Sequence, residues 1–439
     1  MMELSGWGRY PRVQGTLHSP RDAAALATLV TEAPPLIARG LGRAYGDSAI
    51  GAQTVSMRHF SKMIAFDPET GQLVAEAGVS LGEVIDAFLP RGWFPSVTPG
   101  TKFVTLGGAI AADVHGKNHH CEGSFAAFTD WIDLMAPDGS ITRCARDENP
   151  ELFHNTLGGM GLTGIILRAA IRLRRVETGW IRQTMIPTSN LDETLEIFDE
   201  TLSATYCVAW IDCLAKEEAL GRSLVMTGEH AALGDLPSPA TPFETPRPRA
   251  IRFPLDLPGF ALNSYTVRAF NALYYRMGMR KTGEALVDWD SYFYPLDAVS
   301  DWNRLYGKRG FMQFQCALPL DAGRDGLTRL LEAITRSGAA SFLAVLKRFG
   351  PQTSPVSFPM EGYTLALDFP MTARSQALMP ELDRITLEHG GRFYLAKDSR
   401  MSPETLRQTD PRWDAFARMR ADTGLATRFA SAQSQRLGL

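Results

Sequence analysis

The chain has 439 residues and a mass of 48.3 kDa, which is enough for two or three domains, each with its own hydrophobic core. Lysine and arginine number 45 against 48 aspartates and glutamates, so the net charge of −3 offers no cationic surplus for binding nucleic acid. The sequence has no apolar run of about 18 residues that could cross a membrane, and it starts without the features of a secretory signal. The expected location is therefore the cytoplasm.

Short helices and strands alternate through the first third of the chain. Residues 19–30 predict a helix with Ser19 as N-cap and Pro20 in its first turn. Ser80 and Glu83 form the capping-box pattern of a second, amphipathic helix. Strands are expected at residues 35–38, 72–78, 131–145 (two strands around an Asp138-Gly139 turn) and 164–177.

Near Thr178 the pattern changes to longer apolar strands that alternate with helices, which predicts an α+β second domain. Its strands are expected at residues 206–215, 311–320 and 363–370, and its helices at 325–338 and 374–390. Between Pro237 and Pro258 lie seven prolines, which exclude a helix or a central strand. This segment is predicted to be a long, poorly ordered surface loop.

Cysteine and glycine patterns limit the chemistry further. The five cysteines are odd in number and lack CxxC spacing, so neither a disulfide framework nor a cysteine zinc site is expected. Residues 40–47 (GLGRAYGD) follow a predicted strand, where glycines would let backbone N–H groups approach a phosphate; a simple turn is the alternative. Residues 159–164 match GxGxxG, but a basic strand follows them instead of a helix. A nicotinamide-binding Rossmann unit is therefore rejected.

The histidine-rich segment 115–120 (HGKNHH) permits three interpretations. His115 and His119 have a spacing that zinc sites use, although Gly116 and Asn118 disfavour a helix and no nearby carboxylate completes a catalytic set of three ligands. A hydrogen-bonded structural loop is the second interpretation. The third is an imidazole and an ammonium placed beside an organic cofactor, where they polarise or deprotonate a substrate hydroxyl. The third interpretation fits the surrounding glycine-rich sequence best.

Polar residues also interrupt two apolar segments. Gln313 and Gln315 are two apart on a predicted strand, so they share one face and suit a hydroxylated ligand; a satisfied core pair is the alternative. Lys397 ends the apolar run FYLA, where burial would lower the pKa of its ammonium toward that of a base. The alternative is that its side chain extends to water.

Several segments, taken together, resemble the decaprenylphosphoryl-β-D-ribose 2′-oxidase family of flavoproteins. They occur in the same order along nearly the whole chain, at residues 40–47, 98–125, 157–166, 311–315 and 393–400. The resemblance implies an α+β, two-domain FAD-binding fold of the PCMH (vanillyl-alcohol-oxidase-like) type. The FAD-binding domain would comprise residues 1–178 completed by 393–439, with a substrate domain, residues 179–392, inserted between them.

The resemblance also implies roles for individual residues. It assigns proton handling to Lys397 or His115 without ordering them. It assigns FAD binding to Arg39, Gly40, Leu41, Gly42, Arg43, Ala44, Tyr45, Gly46, Asp47, Thr101, Thr105, Gly107, Ala112, His115, Gly116, Asn118, Gly161 and Ile165. It assigns substrate contacts to Lys117, Trp210, Gln313, Gln315, Lys347, Thr364 and Ala366. It implies no metal.

The chain departs from this family of folds at two places. Many relatives attach FAD covalently through a histidine two positions before Tyr45, but Arg43 occupies that position and cannot form the bond. We therefore expect non-covalent FAD. Thr364 and Ala366 stand where the mycobacterial-type enzyme has asparagine and cysteine, which changes the pocket shape.

The function implied is oxidation of a secondary hydroxyl of a lipid-linked sugar, polyprenylphosphoryl-β-D-ribose, to a 2-keto sugar. A separate keto-reductase would convert this product to the arabinose epimer needed for the cell envelope. Oxidation of a free alditol, an aldonolactone or another glycoside is the alternative, and a zinc or ligand-binding protein without flavin is a distant one. Arg247, Arg249 and Arg252 beside Phe253 and Leu255 suit a peripheral contact with membrane lipid phosphates at the mouth of the site.

Overall fold

The structure is a computed structural model, and it describes residues 1–237, 241–246, 251–253, 255–256, 258, 263–339, 341 and 343–439. The first part of the chain forms β1 (Met2–Ser5), β2 (Arg12–His18), α1 (Ala23–Glu32), β3 (Leu36–Arg39), β4 (Gln53–Ser56), β5 (Met63–Asp67), β6 (Gln72–Glu76), α2 (Leu81–Phe88), β7 (Trp93–Pro95), α3 (Leu106–Ala111), α4 (His119–Glu122), β8 (Thr129–Met135), β9 (Ile141–Ala145), α5 (Pro150–Thr156) and β10 (Ile165–Arg175).

The remaining part begins with β11 (Trp180–Thr188), α6 (Leu191–Glu200), β12 (Tyr206–Ile211), β13 (Ser223–His230), β14 (Ile251–Arg252), α7 (Ser264–Met279), β15 (Gly283–Asp288), α8 (Trp289–Phe293) and β16 (Val299–Ser300). It continues with β17 (Phe311–Pro319), α9 (Leu320–Ser337), β18 (Ala344–Phe349), β19 (Gly362–Pro370), α10 (Ala373–Glu388), β20 (Arg392–Phe393), α11 (Pro403–Thr409), α12 (Arg412–Asp422) and α13 (Ala432–Leu437). The predicted α+β class is confirmed.

Two sheets use the strands before residue 178. One has the order β1-β2-β4-β3, with β4 parallel to both β2 and β3. The other has the order β5-β6-β10-β8-β9, with β7 pairing β10. A third sheet, β15-β11-β13-β12-β18-β19-β17-β20, uses strands from β11 onward. The chain therefore passes from the first two sheets to the third between residues 175 and 180. The exact domain limits stay a prediction.

Helix capping was predicted correctly for α2 and incorrectly for α1. At α2 the Ser80 hydroxyl accepts from the Glu83 N–H at 3.2 Å, and the Glu83 carboxylate accepts from the Ser80 N–H at 2.8 Å. At α1 the cap is Asp22, not Ser19, because its carboxylate accepts from the Ala25 N–H at 2.8 Å. Asp22 is as good a cap as serine and lies closer to the apolar run.

The third sheet has one apolar and one partly polar face. Phe314, Cys316, Leu365 and Leu367 point to the side that packs against α9 and α10 and forms the largest core. Because side chains alternate along a strand, Gln313 and Gln315 share the opposite side, as predicted. This partly polar side faces the N-terminal sheets.

The C-terminal segment returns to the first part of the chain. Phe429 forms a bridge with Leu36 beside β3, and its ring is fully buried there. The Arg436 guanidinium on α13 donates to the Asp47 carboxylate at 2.7 Å and to the Asp398 carboxylate at 2.8 Å. The two carboxylates raise the pKa of Arg436, although burial opposes them.

The proline-rich segment is described only in part. Its strand β14 pairs with β16, and Asp256 binds both Arg9 (2.7 Å) and Arg304 (3.3 Å). Arg247 and Arg249, which carried part of the lipid-phosphate prediction, lie outside the described residues. Within the described part of the chain, no helix is long and apolar enough to span a membrane.

Candidate active site

A cavity of about 300 Å³ lies between the glycine-rich loops of the first part and the partly polar face of the third sheet. Many of the predicted site residues line it together. They are Gly40, Leu41, Gly42, Arg43, Ala44, Tyr45, Thr101, Thr105, Gly107, Ala112, His115, Gly161, Gln313, Gln315, Lys347, Ala366 and Lys397. The structure therefore brings cofactor, substrate and catalytic predictions to one place.

Glycines on one side of the cavity hold the backbone close to its neighbours. A Cβ added at Gly40 would lie 2.2 Å from the Thr105 hydroxyl, and one at Gly107 would lie 2.9 Å from Ala77. Gly42 has φ +67°, a conformation that other residues rarely adopt. Such a surface of exposed backbone fits a dinucleotide, because its N–H groups can reach phosphate oxygens. The residues present thus fit FAD.

A loop at the rim joins the two parts of the chain. Asp297 accepts hydrogen bonds from the Thr101 hydroxyl at 3.1 Å and from the Lys102 N–H at 2.9 Å. The Lys102 ammonium also pairs with Asp290. Thr101 lines the cavity, so this wall depends on contacts from beyond residue 178.

Arg43 occupies the rim with its guanidinium between two aromatic rings. It lies 3.9 Å from the ring centre of Trp7 and 5.2 Å from that of Phe103. Burial lowers the pKa of Arg43, while Asp297 and Asp301 oppose that change. The side chain is therefore held by stacking and charge.

His115 is buried beside the glutamine pair. Gln315 donates through Nε2 to His115 Nε2 at 3.1 Å and to the Thr364 hydroxyl at 3.3 Å. Burial, with help from Lys347, His119 and Lys397, holds the pKa of His115 well below its ordinary value. His115 is consequently neutral near pH 7 and a weak base.

Lys397 reaches the cavity next to Tyr45. Its Nζ lies 3.7 Å from the ring centre of Tyr45, and its backbone N–H donates to the Tyr394 carbonyl at 2.9 Å. Burial lowers the pKa of Lys397, and the nearby Asp368 carboxylate opposes that change. Near neutral pH a fraction of Lys397 is therefore an uncharged amine that can accept a proton.

Asp368 is a buried carboxylate of the site that sequence reasoning missed. It accepts a hydrogen bond from the Gln313 side chain, and its Oδ2 has no partner among the described residues. Burial raises the pKa of Asp368, and Lys397 and Gln313 oppose that change. A signal existed, because Asp368 follows Ala366 by two residues and so shares its side of β19.

The other two lysines of the substrate prediction differ in their environment. Lys347 lines the cavity, and burial lowers its pKa to about 8. Lys117 instead lies outside the cavity. Its ammonium donates to the Tyr292 carbonyl, and its Nζ lies 4.0 Å from the centre of the Tyr292 ring. Burial and the charge of Lys347 lower the pKa of Lys117 to about 7.

The remaining predicted site residues do not line the cavity. They are Arg39, Gly46, Asp47, Gly116, Asn118, Ile165, Lys117, Trp210 and Thr364. Each has a structural contact instead. By hydrogen bond or ion pair, Arg39 donates to the Ser5 carbonyl (2.9 Å), Asn118 donates to the Ser96 carbonyl (2.8 Å), Asp47 binds Arg436 and the Thr364 hydroxyl accepts from Gln315. By packing, Gly46 lies against the Asp398 backbone, Gly116 lies against Thr98, Ile165 belongs to the hydrophobic core and the Trp210 ring centre lies 4.8 Å from that of Tyr274. Cavity residues that sequence reasoning missed include Trp7, Trp302, Leu296 and Tyr394.

Comparison with known proteins defines the class. A family of FAD binding domains matches residues 16–145, so the glycine-lined half of the cavity belongs to a flavin-binding fold. The PCMH-type, α+β flavoprotein architecture is thereby confirmed, and the chain is an FAD-dependent oxidoreductase.

Relatives narrow the class to one family. Decaprenylphosphoryl-β-D-ribose oxidase of Mycolicibacterium smegmatis is 37% identical over 99% of this chain and 97% of its own length. An uncharacterised Streptomyces coelicolor protein is 33% identical over 82% of this chain and 100% of its own, whereas L-gulonolactone oxidase of Mus musculus matches 37% of each chain at 28% identity. The chain belongs to the decaprenylphosphoryl-β-D-ribose oxidase family.

Replacing Asp368 by asparagine is expected to shift the pH dependence of flavin reduction toward acid. The carboxylate opposes the fall in the pKa of Lys397, so without its charge Lys397 loses its proton at lower pH. The rate should begin to rise at a pH about one unit lower than in the unmodified protein. About one unit is the lower end of the pKa shift that a single nearby opposite charge causes. Rapid-mixing measurements of flavin reduction under anaerobic conditions would report the shift.

The matched control is Asp130→Asn, a partly buried carboxylate on β8 that does not line the cavity. Its pH profile should match that of the unmodified protein. An unchanged profile for Asp368→Asn, with flavin still bound, would show that Asp368 does not act on Lys397.

Proposed function

We propose that this enzyme oxidises the C2 hydroxyl of a polyprenylphosphoryl-β-D-ribose to a 2-keto sugar. The observation that carries the proposal is the cavity itself, in which a flavin-binding backbone surface faces a row of amide, imidazole and ammonium side chains. The relative from Mycolicibacterium smegmatis is named for oxidation of decaprenylphosphoryl-β-D-ribose. The polar row suits a hydroxylated substrate.

In this proposal the chain's own residues bind, orient and deprotonate the sugar. Bound FAD supplies a hydride acceptor. Lys397, as a neutral amine, takes the proton of the C2 hydroxyl, because only the deprotonating alcohol releases hydride readily. Gln313 and Gln315 orient the hydroxyls. His115 is the weaker candidate for the base, since its Nε2 already accepts from Gln315 and its pKa is lowered.

Lys347 is the residue that favours a phosphorylated substrate over a free sugar. It lines the cavity and forms no hydrogen bond or ion pair with the described residues. A phosphate would supply the missing counter-charge, with no desolvated cation left unpaired. The free alditol and aldonolactone alternatives offer no such charge, and the zinc alternative is not favoured.

A short-chain prenylphosphoryl ribose is expected to bleach the flavin absorbance anaerobically, while free alditols and aldonolactones are not. Lys347→Gln should weaken substrate binding by about tenfold, the cost of a lost charge-assisted contact, with little change in the limiting rate. Lys308→Gln, an exposed lysine, is the matched control. Equally fast bleaching by a free alditol would favour the alternative substrate class.

The FAD is proposed to be non-covalent, which is supported by the stacking of Arg43 between Trp7 and Phe103. A guanidinium at this position offers no nucleophile for the flavin ring. Acid precipitation should therefore release the yellow chromophore into the supernatant, as measured by its visible absorbance. Colour retained in the washed pellet would refute the proposal.

Lys397→Ala is expected to keep bound FAD but to slow its anaerobic reduction by roughly two orders of magnitude or more, the usual scale for a lost general base. Lys397→Arg is the matched variant, because it retains a cation that does not deprotonate. Both should be slow if the amine accepts the proton. A fast Lys397→Arg variant would reduce the role of Lys397 to that of a charge, and normal rates in both would leave His115 as the base.

The proposed reaction needs two further partners. A 2-keto sugar becomes arabinose only after a hydride is returned to the opposite face, so a keto-reductase must consume the product. A lipid-linked substrate also requires a cytoplasmic enzyme to approach a membrane at its inner face. The described part of the proline-rich segment supports this approach through Leu255, which is exposed.

A further inference from the structure

Helix α7 exposes apolar side chains along its outer side. Tyr265 is 81% exposed, Leu273 58% and Met277 45%. Leu273 and Met277 are spaced i, i+4, so they form one stripe on the helix surface. Exposed apolar residues are ordinary when single, but a stripe marks a contact surface.

The inner side of α7 fixes which residues face outward. Asn271 donates to the Asp212 carboxylate at 2.7 Å, and the Tyr275 hydroxyl donates to the Thr188 carbonyl at 2.9 Å. At Gly278 a Cβ would lie 2.2 Å from the Leu224 side chain, so the helix sits directly on the sheet. The stripe cannot rotate inward without breaking these contacts.

The charges around the stripe have a single sign. Arg268, Arg276, Arg280 and Lys281 are all exposed, and residues 264–281 contain no carboxylate. None of the four forms an ion pair with a described residue. Since the whole chain carries a net charge of −3, this local excess of four cations is not a property of the composition.

The register of the third sheet places α7 and the cavity on the same side. Trp210 on β12 pairs with Val345 on β18, so the two side chains share a face. Val345 lines the cavity, and the centre of the Trp210 ring lies 4.8 Å from the centre of the Tyr274 ring on α7. The basic and apolar helix therefore flanks the substrate side of the sheet.

We propose that the outer face of α7 docks on a bilayer surface containing anionic lipids. The cations match lipid phosphates, and the exposed Leu273 and Met277 enter the boundary between headgroups and acyl chains. A nucleic acid or an acidic protein surface would bind the cations but would leave the apolar stripe without an apolar partner. The inference deepens the proposed function and rests on it for the lipid-linked substrate.

The test is co-sedimentation of the FAD-loaded protein with vesicles, without any sugar substrate. Binding is expected to phosphatidylcholine mixed with phosphatidylglycerol, to be weak with phosphatidylcholine alone, and to fall with added salt. Leu273→Ser with Met277→Ser, and separately Arg276→Glu with Arg280→Glu, should each reduce the bound fraction by about tenfold or more. Ile64→Ser and Arg418→Glu, exposed residues of β5 and α12, are matched controls that should bind normally.

Other occupants of the surface would give different results. If light scattering shows a dimer that the Leu273/Met277 variant breaks, a second copy covers the stripe and the proposal is overturned. Vesicle binding that neither pair of substitutions changes would also overturn it, as would absence of binding. Flavin reduction by a short-chain, water-soluble substrate is measured without vesicles, so failure of that reaction and failure of docking are separate results.

Discussion

The Arg436 guanidinium holds two carboxylates that come from distant parts of the chain. Asp47 ends the glycine loop, and Asp398 follows Lys397 directly. Because one planar cation binds both, the loop and the lysine are held in a fixed relation, and Lys397 comes to lie on the ring of Tyr45. The positions of the cofactor surface and of the proton acceptor thus depend on one buried ion cluster contributed by the C-terminal helix.

The electrostatics of the cavity follow from the same burial. Lys347 and Lys397 lose water, so their pKa values fall toward neutrality, and His115 is held neutral. Asp368 is a carboxylate among them; it accepts a hydrogen bond from Gln313, and its Oδ2 has no partner among the described residues. Lys347 has no ion pair with a described residue in this desolvated space, so it favours an anionic ligand, which agrees with a phosphorylated sugar. Burial therefore accounts both for the groups that can accept a proton and for the preference for a charged substrate.

Local sequence patterns predicted what depends on near neighbours. Strand alternation placed Gln313 and Gln315 on one face, and the Ser80–Glu83 pattern marked a helix start correctly. Local patterns did not predict the surroundings of Trp210 and Lys117, because α7 and Tyr292, which contact them, lie far away in sequence. For Asn118, Asp47 and Ile165 the family resemblance predicted a position near the cavity, but it did not predict that their side chains do not line it. Asp368 was missed because its position two residues after Ala366 was not used, although this spacing puts both side chains on one side of β19.

Asp297 and Asp290 have a consequence for recombining such proteins. They lie in the segment after residue 178, yet they bind Thr101, which lines the cavity, and its neighbour Lys102. A chimera that took residues 179–392 from a relative with another specificity would have to keep both carboxylates, or redesign the 99–105 loop with them. The parts of the chain before and after residue 178 are therefore not interchangeable modules.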